Sequence, residues 1–274
     1  MNNYPPYSNA NPPGNTPPVP SPYPQTGSQP PAQATVRLPQ GRPWVSYTMI
    51  GLCVVVYLLQ SLSQQATGND YLVAFGAKIN QYILAGEFWR FITPLFLHAS
   101  IIHIAFNMYA LFILGPGLER FYGHKRFLAL YMIGGFAGNV LSFLFLPGAE
   151  SIGASTAIFA LVAAQGIFIY KNRFLFGSRA RSLLINTLGI VIINFAFGLA
   201  PQTNVDNFGH LGGLLSGLAF AWFAGPVFAV SGLGTNLYLE DQTTSSQVVM
   251  SGLVVTLIFC MLAAVRFIFP ALNA

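Results

Sequence analysis

The chain has 274 residues, of which 54% are hydrophobic and only 7% carry a charge. A soluble domain needs about 25% charged residues to clothe an aqueous surface, so a water-soluble enzyme is excluded and a polytopic membrane protein is indicated. The formal charge of +5 sits in short clusters between apolar runs, which fits membrane orientation and excludes a nucleic-acid-binding stripe.

Residues 1–40 hold twelve of the nineteen prolines, no acidic residue and Arg37 as the one charge. Such a segment buries too little apolar area to offset the cost of ordering, so it reads as a disordered, Pro-rich cytoplasmic tail with polyproline II character. Its PPxxP-like stretches offer a partner's aromatic groove a ligand, and that partner is unknown. Seven spans follow: Trp44–Ser63, Ile101–Gly117, Phe127–Leu146, Ala154–Tyr170, Ser182–Leu199, Gly209–Ala224 and Val248–Phe269. The stretch 70–100 mixes aromatics with Lys78, Glu87, Arg90 and Pro94 and reads as an interfacial loop with short helices. The first six spans make one unit over 41–228. Residues 229–274 supply a loop and the seventh span. Cys53 and Cys260 both fall inside apolar runs, which supports neither a disulfide nor a thiolate metal site.

With the N-terminus in the cytoplasm, Arg37, Arg42, Arg120, Lys125, Arg126, Lys171, Arg173, Arg179 and Arg181 lie inside, and Lys78, Arg90 and Arg266 lie outside. Nine cations against three sets the N-terminus inside. Spans two, four and six then run from outside to inside. His103 precedes Glu119 by 16 residues, Ser155 precedes Lys171 by 16, and His210 precedes Gly225 by 15. At a helical rise of about 1.5 Å per residue all three sit about 22–24 Å above the inner end, at one depth below the outer surface.

His103 and Asn107 share a helix face, as do His210, Gly213 and Gly217. Glycines at that spacing let a neighbouring backbone approach. On span four the face below Ser155 runs through Phe159, Val162 and Gly166, and packing of these strips would bring the Ser155 hydroxyl to the His210 ring. A serine becomes a nucleophile when a base accepts its proton. The His103 imidazole, the Asn107 amide and the Ser155 backbone N–H at a helix start are donors for an oxyanion. No acid other than Asp206 lies near His210 in sequence, so a Ser–His dyad is favoured over a triad. Each feature has a plainer reading: a lone serine as a packing residue, the histidines as a proton relay, Asn107 as a helix bridge, the glycines as packing alone. A seven-span transporter using His103 and His210 as relay groups is the alternative from another class.

These residues resemble the rhomboid intramembrane serine proteases. Gly153-Ala154-Ser155-Thr156 resembles the family's GxSx motif, His103 to Asn107 its HxxxN motif, and His210-Leu211-Gly212-Gly213 with Gly217 its HxxGxxxG motif. Trp89-Arg90 is similar to the WR pair of the first loop, and Glu119-Arg120 with Gly123 to the motif closing the second core helix. The set comes in the family's order over about residues 44–225.

The resemblance implies an all-α bundle of six helices plus a C-terminal seventh. It implies a Ser155–His210 dyad in a wet cavity that opens outward and cleaves transmembrane helices of other membrane proteins in the bilayer, with no cofactor and no metal. His103, Asn107 and the Ser155 amide would form the oxyanion hole, and Gly153 would keep the turn clear. Trp89 and Arg90 would anchor the first loop, and Glu119 with Arg120 would tie helix ends. A catalytically inactive relative that binds transmembrane clients is the alternative on the same scaffold. Thr156 and Phe159 stand where many members carry Gly and Tyr, and the expectation is altered rate or specificity with no reacting group lost. The absence of targeting signals points to a cell membrane.

Overall fold

The computed structural model describes residues 35–200, 203–234 and 236–269. The Pro-rich tail up to residue 34, with its expected disorder and partner, lies outside them. Long helices dominate: α1 (Trp44–Thr67), α4 (Ile101–Tyr122), α5 (His124–Phe145), α6 (Ser155–Lys171), α7 (Ala180–Gly198), α8 (Asn207–Ala224) and α9 (Ser245–Ile268), with two short ones, α2 (Tyr71–Gly76) and α3 (Asn80–Leu84), between α1 and α4. They fall on the seven expected spans to within a few residues at each end. Five are long and apolar enough to cross a membrane by length and composition, and α6 is a shorter apolar helix. The protein is an integral membrane protein, mostly helical.

The ends of the helices follow local chemistry. Ser100 caps α4 by accepting the His103 N–H, and Asp206 caps α8 by accepting the Gly209 N–H. Thr244 and Gln247 form a reciprocal capping box at α9, satisfying donors that a helix start leaves without partners. Gly68 ends α1 in the left-handed region at φ 76°.

Three helices form the centre. α5 packs against α8 and α6, and α6 packs against α8, while α9 covers α5 and α8, α1 lies along α4, and α7 leans on α6. Small residues set the close approaches. A Cβ on Gly217 would fall 2.5 Å from Ala160 Cα, and one on Gly138 would fall 2.5 Å from Thr156 Cβ. A Cβ on Gly213 would meet the Thr156 carbonyl. The strip of α6 that receives α8 is therefore Thr156–Ala160, one residue on from the expected Ser155–Phe159 line. Gly166 turns instead toward Thr187 of α7. Without a hydrophobic driving force between helices in lipid, such backbone-to-backbone contact supplies the packing energy.

A small sheet departs from the expectation of a plain loop after residue 228. Strands β2 (Phe228–Leu233) and β3 (Asn236–Asp241) pair antiparallel, and β1 (Thr35–Arg37) joins β3 in parallel, giving the order β1-β3-β2. The end of the sequence segment read as tail is thus a strand. Arg126 of α5 holds the hairpin through Asp241 at 2.9 Å. Asn172 fixes its entry, donating to the Pro226 carbonyl and accepting the Phe228 N–H. Sequence gave no cue to this sheet, because its strands are short and their pairing is set by contacts with helix ends.

Candidate active site

Three helix starts converge. Ser155 is the first residue of α6, His103 the third of α4 and His210 the fourth of α8. Each helix N-terminus carries partial positive charge and N–H groups without intrahelical partners. α4 and α8 have side-chain caps, whereas Ala154 gives α6 none. The first-turn amides of α6, beginning at Ser155, are therefore left without a side-chain cap.

The segment entering α6 is hung on the 70–100 loop. Lys78 and Ser151 exchange two backbone hydrogen bonds of 3.0 and 3.1 Å, and the Gly153 N–H donates to the Pro94 carbonyl at 2.8 Å. Gly153 sits at φ +128°, and a Cβ there would lie 2.8 Å from both Cε1 and Nε2 of His103. Only glycine allows this turn and this ring to share the space.

Ser155 Oγ and His210 Nε2 lie 2.9 Å apart. The His210 ring is stacked on Phe159 with centroids 4.3 Å apart and an interplanar angle of 17°, and Phe195 of α7 meets it edge-on at 6.4 Å. The ring's orientation is thus set by aromatic packing. His210 Nδ1 has no hydrogen-bond partner among the described residues. Asp206, the one acid near it in sequence, spends Oδ1 on the Gly209 N–H at 2.7 Å.

His103 Nδ1 accepts the Ala99 N–H at 3.3 Å. A neutral imidazole with Nδ1 accepting carries its proton on Nε2, the atom that faces Gly153. Asn107 is buried and donates to the His103 carbonyl at 3.0 Å. Among the described residues it makes no hydrogen bond to Ser155; one of its two amide protons is already engaged within α4.

The remaining motif residues do different work. Arg90 is 3% exposed and donates to Glu87 and to the carbonyls of Ala77 and Ala74. Trp89 donates its indole N–H to the Phe75 carbonyl and stacks on that ring. Glu119 binds the start of α1 through the N–H groups of Val45 and Ser46 and the Ser46 hydroxyl, and it contacts His124 at 2.6 Å. Arg120 is exposed and forms no side-chain hydrogen bond among the described residues, so the tie between helix ends belongs to Glu119. Thr156 points away from the serine: its methyl lies against Gly138 of α5 and Gly209 of α8. The β-branch therefore fills a helix junction rather than narrowing the space beside Ser155.

Sequence reasoning missed the supports of the 70–100 loop. Lys78, counted as an outer loop charge, is fully buried and donates Nζ to the carbonyls of Leu146 and Ala149 at 2.9 Å. Burial pulls its pKa down to about 8, with Asp206 acting in the opposite direction and Arg266 reinforcing the fall. Gln60 of α1 clamps His98, donating to its carbonyl and accepting its N–H. Burial likewise draws the His98 imidazole down to about 4, helped by the nearby His103 ring, whose centroid is 5.3 Å away. No periodicity marks Lys78 or Gln60, since each serves backbone groups distant in sequence.

The comparisons with known proteins identify the family. The Rhomboid domain family model matches residues 85–227, from the WR pair to the end of α8. The rhomboid protease GluP of Bacillus subtilis (strain 168) is 42% identical over 177 residues, which is 65% of this chain and 34% of that protein. RHOMBOID-like protein 6, mitochondrial, of Arabidopsis thaliana is 41% identical over 140 residues, 51% of this chain and 45% of its own length. Rhomboid-like protease 3 of Toxoplasma gondii is 34% identical over 185 residues, 66% of this chain and 67% of that protein. The chain spans about a third of the first of these and under half of the second. A domain match covering just over half the chain, joined to relatives at these identities, places this chain in the rhomboid family.

Proposed function

We propose that the chain is an intramembrane serine endopeptidase that cuts transmembrane helices of other membrane proteins near the outer face. The observation that carries this reading is the 2.9 Å approach of Ser155 Oγ to His210 Nε2 at the junction of three helix starts. In the first step the Ser155 oxygen bonds to the scissile carbonyl carbon while His210 takes the hydroxyl proton. The negative charge formed on the carbonyl oxygen is met by the uncapped first-turn amides of α6 and by His103 Nε2–H, with Asn107 supporting the His103 backbone. His210 then gives its proton to the leaving amine, and the acyl group stays on Ser155. Water, deprotonated by the same histidine, releases the acyl group as a carboxylic acid and restores the hydroxyl.

Aromatic stacking on Phe159 replaces a carboxylate as the device that holds the base, which is what a dyad requires. A helical substrate hides its amides in i→i−4 hydrogen bonds, so it has to unwind locally, and helix-breaking or small residues near the cut favour cleavage. Hydrocarbon supplies no water, so the dyad opens to an aqueous face, and the Lys/Arg asymmetry puts that face outside with the N-terminus in the cytoplasm. α7, whose Phe195 touches the His210 ring, is the side through which a substrate enters.

The test is incubation of the purified chain with a panel of single-span substrates beside Ser155→Ala. Cleavage by the natural chain and none by the variant is expected. Absence of cleavage across the panel by the natural chain would overturn the proposal.

A further inference from the structure

At the end of the bundle opposite the dyad, α6 and α7 are joined by two short 3₁₀ turns, Arg173–Leu175 and Gly177–Arg179. Gly177, at φ +53°, turns the chain in the left-handed region, and the connection borders an open surface depression of about 610 Å³. Tyr170, Phe174 and Leu184 form its apolar wall, and Arg173, Ser178 and Arg181 form its polar rim. Neither arginine has a side-chain hydrogen bond or acidic partner among the described residues, and both are exposed. The sequence holds no Asp or Glu between Glu150 and Asp206, so nothing local neutralises them. Lys171, one residue outside the rim, is already engaged: Nζ donates to the Trp222 carbonyl and lies 5.4 Å over that ring.

We propose that this depression binds the headgroup of an anionic phospholipid, the phosphate resting between Arg173 and Arg181 with a hydrogen bond from the Ser178 hydroxyl, and the glycerol and upper acyl chain lying along Phe174 and Leu184. Two guanidinium forks are suited to phosphate oxygens. A soluble anion would have no use for the aromatic and aliphatic wall. The depression also lies where two apolar helices end, which is the level of lipid headgroups. The bilayer is thus the source of the ligand. Binding here would tie the base of α7, a helix with only Ala180 and Thr187 buried, to the end of α6.

The experiment titrates the full, delipidated chain in detergent with phosphatidylglycerol or phosphatidylcholine and counts retained lipid by native mass spectrometry. The natural chain is expected to retain phosphatidylglycerol in preference. Arg173→Gln with Arg181→Gln should weaken that retention about thirtyfold, and each single change about fivefold, since each removes one direct charge-assisted guanidinium–phosphate contact. Arg42→Gln with Lys125→Gln removes the same charge from elsewhere at this end and should leave retention unchanged. Equal retention by the rim pair and the natural chain overturns the proposal. An equal loss in the control pair also overturns it, because bulk charge would then explain the attraction. Displacement of the lipid by millimolar inorganic phosphate would assign the rim to a free anion and overturn the lipid assignment. Should the double variant fail to fold, the single variants carry the same test.

Discussion

Gly153 isolates the geometry of the site from its chemistry. Gly153→Ala leaves Ser155, His210 and His103 in place by identity, yet it forces a side chain into φ +128° and to within 2.8 Å of the His103 ring. Strain of this kind costs about 1–3 kcal/mol, which lowers the melting temperature by a few degrees. In the proposed mechanism, displacing His103 or Ser155 by about 1 Å costs about a hundredfold in rate. The expected outcome is turnover reduced by about that factor while the chain still melts cooperatively a few degrees lower, read by steady-state cleavage beside a melting curve in detergent. Helical spacing and depth put Ser155, His210 and His103 at one level in the sequence, with Asn107 on the face of His103, and the structure brings Ser155 Oγ to 2.9 Å from His210 Nε2 and turns the Asn107 amide onto the His103 carbonyl. The supports were not legible in the sequence. Lys78 and Gln60 act on carbonyls and amides of remote segments, and a single buried side chain serving remote backbone leaves no pattern along the chain.

Helix packing at the centre depends on α8 presenting glycines to α6. Gly217→Val would drive a branched side chain onto the Ala160 backbone, where even a Cβ falls 2.5 Å from Cα. Overpacking costs about 1–3 kcal/mol, and here it also rotates or lifts the helix that carries His210. Both a lowered melting temperature and a loss of Ser155 reactivity are expected. A Gly217 variant with unchanged melting and reactivity would show that α6 and α8 do not meet along this strip. The small-residue strip on α8 was readable from its spacing. Its partner line on α6 was displaced by one residue because Thr156, a β-branched side chain, seats in the notch left by Gly138 and Gly209. No property of α6 alone could announce that notch. The hairpin β2–β3 was likewise invisible, since it is defined by Asn172 and Arg126 reaching in from helix ends.

Across the molecule, the cations divide in more than number. The three assigned to the dyad end, Lys78, Arg90 and Arg266, are all buried and donate to backbone carbonyls. At the opposite end Arg42, Arg120, Lys125, Arg173, Arg179 and Arg181 are exposed. Counted by exposed charge, the asymmetry that sets orientation is therefore steeper than the sequence count of nine to three. It predicts that a cysteine introduced at Glu150, near the dyad end, reacts with a membrane-impermeant maleimide in intact cells. One at Ser178 should react only after permeabilisation. The reverse pattern would invert the orientation and turn the dyad toward the cytoplasm.

Activation of Ser155 by His210 is the central claim, and reactivity of that hydroxyl reads it without any knowledge of the substrate. The measurement is covalent labelling of the purified chain by a fluorophosphonate probe, followed by mapping of the modified residue. Labelling confined to Ser155, and abolished in both Ser155→Ala and His210→Ala with the helical fold retained, is the predicted result. A natural chain that resists the probe, or a His210→Ala variant labelled as fast as the natural chain, would contradict it.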